Sequence, residues 1–248
     1  MPQLRPSFLA PCLGLGALVA AVHPAAAAQP DPLALYGPRI VYDVERNGAV
    51  IGRHEVTFTA AGPAGDVVAE AASTMTVTLL GLPLYRFTYR SRDVWRDGVL
   101  AQLDAVTDDD GSRSTVTARR DGDGLVIDGS LGRLTATGPL FPTNHWNAAV
   151  RGSDQVLNTI TGGLNAVTMT AAGRETVATR QGPVEATLWT YRGDLTADVW
   201  YDDAGRWVGL RFPARDGSTI TYVCRQCGLD RPAAASPQPQ PAGEGGAS

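Results

Sequence analysis

The chain has 248 residues, 44% of them hydrophobic, and a formal net charge of −4 from 21 basic and 25 acidic side chains. That is enough apolar material for one large all-β domain or two small ones. Every basic residue counted is arginine, since the sequence contains no lysine; Schiff-base and Ser-Lys chemistry are excluded, and an acidic chain without a basic run is not a nucleic-acid binder.

Residues 1–28 read as a secretory signal peptide. Arg5 precedes an apolar run from Phe8 to Val22, and "AAAA" then supplies the small residues of a cleavage site after Ala28. A transmembrane anchor is the alternative, but Pro11, Gly14 and Gly16 break the run, which falls short of the ~20 residues a spanning helix needs. Cys12 lies ahead of most of the apolar run, so lipidation is not expected. Loss of this segment removes Arg5 and no acid, taking the charge from −4 to −5. The expected location is periplasmic or secreted.

Residues 29–38 form a Pro-broken leader, and a single β-rich domain is expected over 39–228. "IVYDVERNGAVIGRHEVTF" reads as a hairpin with Asn47-Gly48 at its tip, a pair that tolerates positive φ. Short alternating segments follow, separated by Gly and Asp clusters, through "GLVIDG". After residue 164 the pattern resumes and runs to "STITYVC". Residues 94–118 echo 199–223; each reads as a three-stranded meander within one sheet. Residues 144–161 carry the helix signals. Thr143 or Asn144 caps "HWNAAVRG", Ser153 caps "DQVLNTI", and Gly162-Gly163 stops it. Helices this short must pack on something, and the open side or concave face of the sheet is the available surface. Residues 229–248 read as a disordered Pro-, Ala- and Gly-rich tail.

Several constellations could carry chemistry. His145 and Trp146 in "FPTNHWN" read as a general base or a ligand-contacting pair, or else as a capped loop anchored by the indole. Folding the first hairpin symmetrically about Asn47-Gly48 places Val41 opposite His54 and Asp43 on the same face, so His54 and Asp43 become a diagonal pair. That pair reads as an oriented dyad or as a structural ion pair. The apolar stretch "LLGLPLYRF" (79–87) reads as a bend or as a greasy rim offering Leu80, Leu82 and Tyr85 to a ligand or partner.

Other features argue against chemistry. His54, His145 and Cys224 match no zinc spacing, so no metal is expected, nor any other cofactor. Cys224 and Cys227 in "YVCRQCG" suit a disulfide in an oxidising compartment. No Gly-x-Ser-x-Gly or phosphate loop is present. Asp108, Asp109, Asp110, Asp202 and Asp203 read as hairpin tips.

Six stretches, including "LLGLPLYRFTYRSRDVWRDG", "TNHWN" and "LWTYRGDLTADVWYDDAGRWVGLRF", resemble an exported bacterial family known only as a domain of unknown function. The resemblance covers about residues 39–224 and implies no activity or catalytic residue. More loosely, the meander is similar to periplasmic lipoprotein carriers, open half-barrels whose helices cover an apolar cavity. The expected fold is an all-β antiparallel meander, a curved half-barrel or open barrel with a helical insert near 144–161. The expected function is non-enzymatic binding of a lipid or other amphipathic small molecule. The alternatives are an envelope hydrolase or isomerase using His145 or His54 with Asp43, and a structural protein that pairs through a sheet edge.

Overall fold

The computed structural model describes residues 31–62 and 66–230; the expected signal peptide, and the tail from 231 onward, lie outside the described residues. Among the described residues, fifteen strands form two runs. The first contains β1 (Arg39–Arg46), β2 (Ala49–Ala60), β3 (Val67–Leu79), β4 (Leu82–Arg96), β5 (Val99–Asp109), β6 (Ser112–Asp121), β7 (Gly124–Gly129) and β8 (Gly132–Thr137). The second contains β9 (Phe141–Pro142), β10 (Gln155–Leu157), β11 (Leu164–Thr179), β12 (Gly182–Gly193), β13 (Ala197–Tyr201), β14 (Trp207–Pro213) and β15 (Thr219–Gln226).

Sequential strands are neighbours within each run, and β1 pairs with β15. All these ladders are antiparallel except β9 with β10. The order is therefore a ring with one unpaired junction, between β8 and β9: the sheet is open, not a closed barrel. Across the junction, Gly129 at the end of β7 packs backbone to backbone on Gly162. A Cβ on Gly129 would fall 2.5 Å from the Thr161 carbonyl oxygen. A side chain at either glycine would wedge this seam open.

The core lies inside the curl. Alternation directs Val56 and Phe58 of β2, Ala69 and Ala71 of β3, Trp95 of β4, Leu103 of β5 and Tyr201 of β13 into one continuous cluster. Residues 29–38, expected as a leader, join the fold from Asp31 onward: the helix α1 (Pro32–Tyr36) buries Leu35 and Tyr36 in that cluster. Asp31 caps it by accepting from the Leu33 amide.

The helical insert expected over 144–161 is reduced to one short 3-10 helix. Ala148–Gly152 forms a single 3-10 turn, capped by Asn147 rather than Thr143 or Asn144. Ser153 caps nothing onward, because "QVL" becomes β10, paired with both β9 and β11. Val156 and Leu157 are fully buried, and strand pairing satisfies their backbone where one short helical turn could not.

A second, smaller layer covers part of the outside. The long β11–β12 hairpin is irregular between Ala171 and Gly173, and its tip folds over the sheet. There Val177 and Val184 pack on Ala186, Leu188, Trp200 and Val208, and the Arg180 amide donates to the Cys224 carbonyl. The echo of 94–118 in 199–223 corresponds to β4–β5–β6 and β13–β14–β15. The matched tryptophans nevertheless point to opposite sides: Trp95 enters the main core, whereas Trp200 joins the outer layer.

Candidate functional site

"FPTNHWN" opens with β9 and continues as irregular chain beside the seam. Phe141 packs on Trp95, and Thr143 donates its amide to the Leu157 carbonyl. The Asn144 amide nitrogen hydrogen-bonds the buried carboxyl of Asp93. The Trp146 amide donates to the Asn144 carbonyl, 2.6 Å away, which closes a three-residue turn with His145 at its centre, φ 50°. Such turns are rare and strained. Two phenols hold the turn: Tyr201 donates to the His145 carbonyl and Tyr36 to the Trp146 carbonyl, both at 2.8 Å.

The turn sends its two rings in different directions. Trp146 enters the core, edge-on to Phe58 and Trp95. His145 faces Tyr191 and Trp207, with Nδ1 3.4 Å from the Tyr191 hydroxyl. His54 also packs against Trp207, its ring centroid 5.7 Å from the indole. Nδ1 of His54 is 2.6 Å from Ser73 Oγ, and its buried Nε2 has no hydrogen-bond partner.

His54 and His145 line one cavity of about 380 Å3. Its buried wall includes Ser73, Tyr89, Asn144, Thr159, Tyr191 and Trp207; Phe87, Phe212 and Tyr222 add aromatic surface; Ile160, Asp194, Thr196 and Pro213 stand at its exposed mouth. No arginine lines it. Burial lowers His54 to a pKa of about 3, with a smaller contribution from the nearby His145, and burial lowers His145 to about 4. Both imidazoles are neutral near pH 7. Burial raises Tyr222 to about 12 and pushes Tyr89 and Tyr191 higher still, so the phenols keep their protons. Beneath Asn144, burial raises Asp93 to about 7 despite its hydrogen bond from Asn144. The site therefore offers neutral donors and acceptors on aromatic walls, one carboxylate, Asp194, at its exposed mouth, and no cation.

The sequence-derived pairing of His54 with Asp43 fails. Val44 pairs with Gly52 but Glu45 with Val50, so Ile51 is bulged and the register beyond it moves by one residue. A one-residue shift exchanges faces. Tyr42, not Val41, lies opposite His54, and Asp43 points outward. There Arg225 and Arg180 grip the Asp43 carboxylate at 2.9 Å each and hold its pKa below the usual value. Gly52 is needed beside the bulge, since a Cβ there would meet the Thr74 carbonyl oxygen at 1.9 Å.

Of the residues expected to touch a ligand, His145 lines the cavity, while Trp146, Leu80, Leu82 and Tyr85 do not. Leu80 and Leu82 sit at the exposed tip of the β3–β4 hairpin, and the Tyr85 hydroxyl donates to Asp109 at 2.7 Å. Ser73, Phe87, Tyr89, Tyr191, Trp207, Phe212 and Tyr222 were not anticipated. The alternation within "FTY" and "LRF" puts Phe87 with Tyr89, and Leu210 with Phe212, on common faces, but only the ring of strands brings those faces together. Cys224 and Cys227 are joined by a disulfide. Asp108–Asp110 sit at a hairpin tip, whereas Asp202 is buried, ion-paired with Arg206 at 2.6 Å. Among the described residues, no three His, Cys, Asp or Glu side chains converge on one point. No described helix is long and apolar enough to cross a membrane.

Comparison with solved structures places the fold among known ones. The chain is similar to the crystal structure of a β-barrel-like protein of the domain of unknown function DUF1849 from Brucella abortus, with a TM-score of 0.54 and 12% identity over 76% of this chain and 95% of that one. At that identity the likeness is one of fold. No curated protein is significantly similar in sequence. The profile of a family described as domain of unknown function DUF6134 matches residues 42–225, most of the chain, and to that family the chain belongs.

Proposed function

We propose that this protein is an exported, non-enzymatic binding module whose ligand is a small, uncharged amphipathic molecule held in the His54–His145 cavity. The observation that carries the reading is the cavity itself: about 380 Å3, walled by aromatic rings, with neutral imidazoles and hydroxyls and no cation among its lining residues. That volume and composition suit a ligand with an apolar body and a hydrogen-bonding end. An anionic headgroup would enter without a counter-charge, at a high desolvation cost. The N-terminal pattern of residues 1–28 and the Cys224–Cys227 disulfide support export to an oxidising compartment. A mature N-terminus at Gln29 is expected.

The His54–Ser73 contact favours a second reading, hydrolysis through a serine nucleophile. Binding remains the better account, because an imidazole with a pKa of about 3 is a poor base at neutral pH and no carboxylate orients it.

The test uses the mature protein and two fluorescent probes, neutral N-phenyl-1-naphthylamine and anionic anilinonaphthalene sulfonate. The neutral probe should bind more tightly, and Ala197→Trp, which fills the cavity from its partly exposed edge, should abolish its binding. Equal affinity for both probes, or binding unaffected by the substitution, would refute the reading. Covalent labelling of Ser73 by a fluorophosphonate would favour the hydrolase instead.

A further inference from the structure

The β3–β4 hairpin differs from the other tight hairpins of the same sheet. Four two-residue turns place both central residues at positive φ: Asn47-Gly48, Leu80-Gly81, Asp97-Gly98 and Asp110-Gly111. In three of them the first residue is Asn or Asp, whose short polar side chains tolerate that backbone. In the β3–β4 turn it is a leucine, at φ 52°. The same leucine is 95% exposed, and around it Leu79, Leu82 and Leu84 are 58%, 69% and 59% exposed. Both the backbone strain and the solvent exposure disfavour leucine here in an isolated molecule.

The turn also stands clear of the sheet. The ladder between β2 and β3 ends at Gly52–Met75, and that between β4 and β5 ends at Phe87–Asp109. Beyond the Met75–Phe87 pair the chain continues as a two-stranded ribbon, about 17 Å from Phe87 to Leu82 at ~3.4 Å per residue, tied to the β5 tip at its base by the Asp110 amide on the Arg86 carbonyl and by Tyr85 on Asp109. A ribbon of two strands is marginal in water. No charged residue occurs from Met75 to Tyr85. By alternation and pairing, Val77, Leu79, Leu82 and Tyr85 continue the face of Phe87, which lines the cavity, while Thr76, Thr78 and Arg86 face outward.

We propose that this ribbon docks on a lipid bilayer, with Leu80, Leu82 and Leu84 in the outer acyl region and Tyr85 and Arg86 at headgroup level. Leucines that project from the tip as well as from one face suit a surrounding hydrocarbon medium better than a one-sided groove. Tyrosine and arginine directly behind an apolar tip match the polarity gradient of a membrane interface. Arg53, Arg86 and Arg90 stand on the outer face behind the tip and form no ion pair among the described residues, which favours anionic headgroups. The acids at that level are Asp108, Asp109 and Asp110, with Glu55 in the row of Arg90; Arg113 engages Asp108, Tyr85 and Arg215 engage Asp109, and Arg39 engages Glu55. The ribbon's apolar face runs back to Phe87, joining the docked surface to the cavity mouth. The docking itself is independent of what the cavity holds.

The test is sedimentation of the mature protein with phosphatidylcholine vesicles, with and without phosphatidylglycerol. The protein should pellet with the vesicles, more completely with the anionic lipid. Leu80→Asn combined with Leu82→Thr should lower the partition coefficient about tenfold or more, without lowering the thermal midpoint, because Asn suits the turn. Ala197→Trp should leave vesicle binding unchanged. The proposal is overturned if the wild-type protein stays in the supernatant at both lipid compositions, or if the tip variant pellets as the wild type does. Retention by an envelope protein extract without vesicle binding would equally count against it.

Discussion

Ser73 Oγ lies 2.6 Å from His54 Nδ1 inside the sheet, and the other imidazole nitrogen is buried without a hydrogen-bond partner. The serine holds the ring in place against Trp207 and Tyr222. Ser73→Ala should leave a second buried nitrogen unpaired and cost about 1–3 kcal/mol. Replacing both residues, as Ser73→Ala with His54→Phe, should cost less than the sum of the two single changes, because no orphaned polar atom remains. Urea denaturation of the four proteins of the cycle measures the difference; additivity would show that the contact carries no coupling.

Asp93 and the two histidines give stability opposite pH dependences. The Asp93 carboxyl titrates at about 7 in the fold against an ordinary 3.8, so the folded state holds a proton that the unfolded chain releases. Its contribution is fully present below about pH 4 and is lost as pH rises through about 7. His54 and His145 are depressed to about 3 and about 4 from 6.5, so their contribution is present above 6.5 and lost on acidification. Asp93→Asn keeps an acceptor for Asn144 but removes the buried charge. It should stabilise the protein at pH 8 by a few kcal/mol, since each tenfold difference in proton affinity between the folded and unfolded chain is worth ~1.4 kcal/mol. The gain should vanish near pH 4, and denaturation at three pH values between these limits traces the curve. A constant difference across the range would exclude a raised Asp93.

Asp43 ties the folded-over tip of the β11–β12 hairpin to the sheet. The carboxylate is buried while the guanidinium groups of Arg180 and Arg225 are partly solvated, so screening limits the value of the pairs. Asp43→Ala should therefore cost only about 1–2 kcal/mol globally. Hydrogen exchange should meanwhile accelerate between residues 174 and 185, where the second layer loses its anchor. Unchanged protection of that segment would mean that the apolar contacts of Val177 and Val184 hold the tip unaided.

Trp146 anchors the seam segment through Phe58 and Trp95. Trp146→Ala should cost about 3–5 kcal/mol. It should also weaken binding of the neutral probe, because His145 is the preceding residue in the same strained turn. Equilibrium denaturation paired with probe titration separates the two effects. Full-strength probe binding by the folded variant would show that Tyr201 and Tyr36 suffice to position the turn.

The strand-rich character of the chain was legible because hairpin turns and alternation are local. Asn47-Gly48 and the runs either side of it could be read directly from spacing. What spacing did not carry was the bulge at Ile51, beside which the Gly52 backbone runs close to Thr74 on another strand. That single extra residue separates His54 from Asp43 and redirects the candidate site from a dyad to a cavity. The stretch 144–161 carried helix caps, yet β9 and β11 offered "QVL" two strand partners, and that pairing overrode the local helical preference. His145 was visible by type; the aromatic residues around the cavity come from β4, β12, β14 and β15 and could be grouped only once the order of the sheet was known.

The ring of strands has its gap away from the point where the two ends of the described fold meet. Gly228 lies against Leu35 and Tyr36, and Arg206 donates to its carbonyl, so the two ends of the described fold are already neighbours. Joining them by a short linker and reopening the chain at 138–140 would yield a circular permutant. Its fifteen strands would run in simple succession from one sheet edge to the other, and every hydrogen-bonded ladder would survive. In the natural connectivity, by contrast, β1 waits for β15, so the central ladder of the sheet is the one that must be closed over the longest stretch of chain.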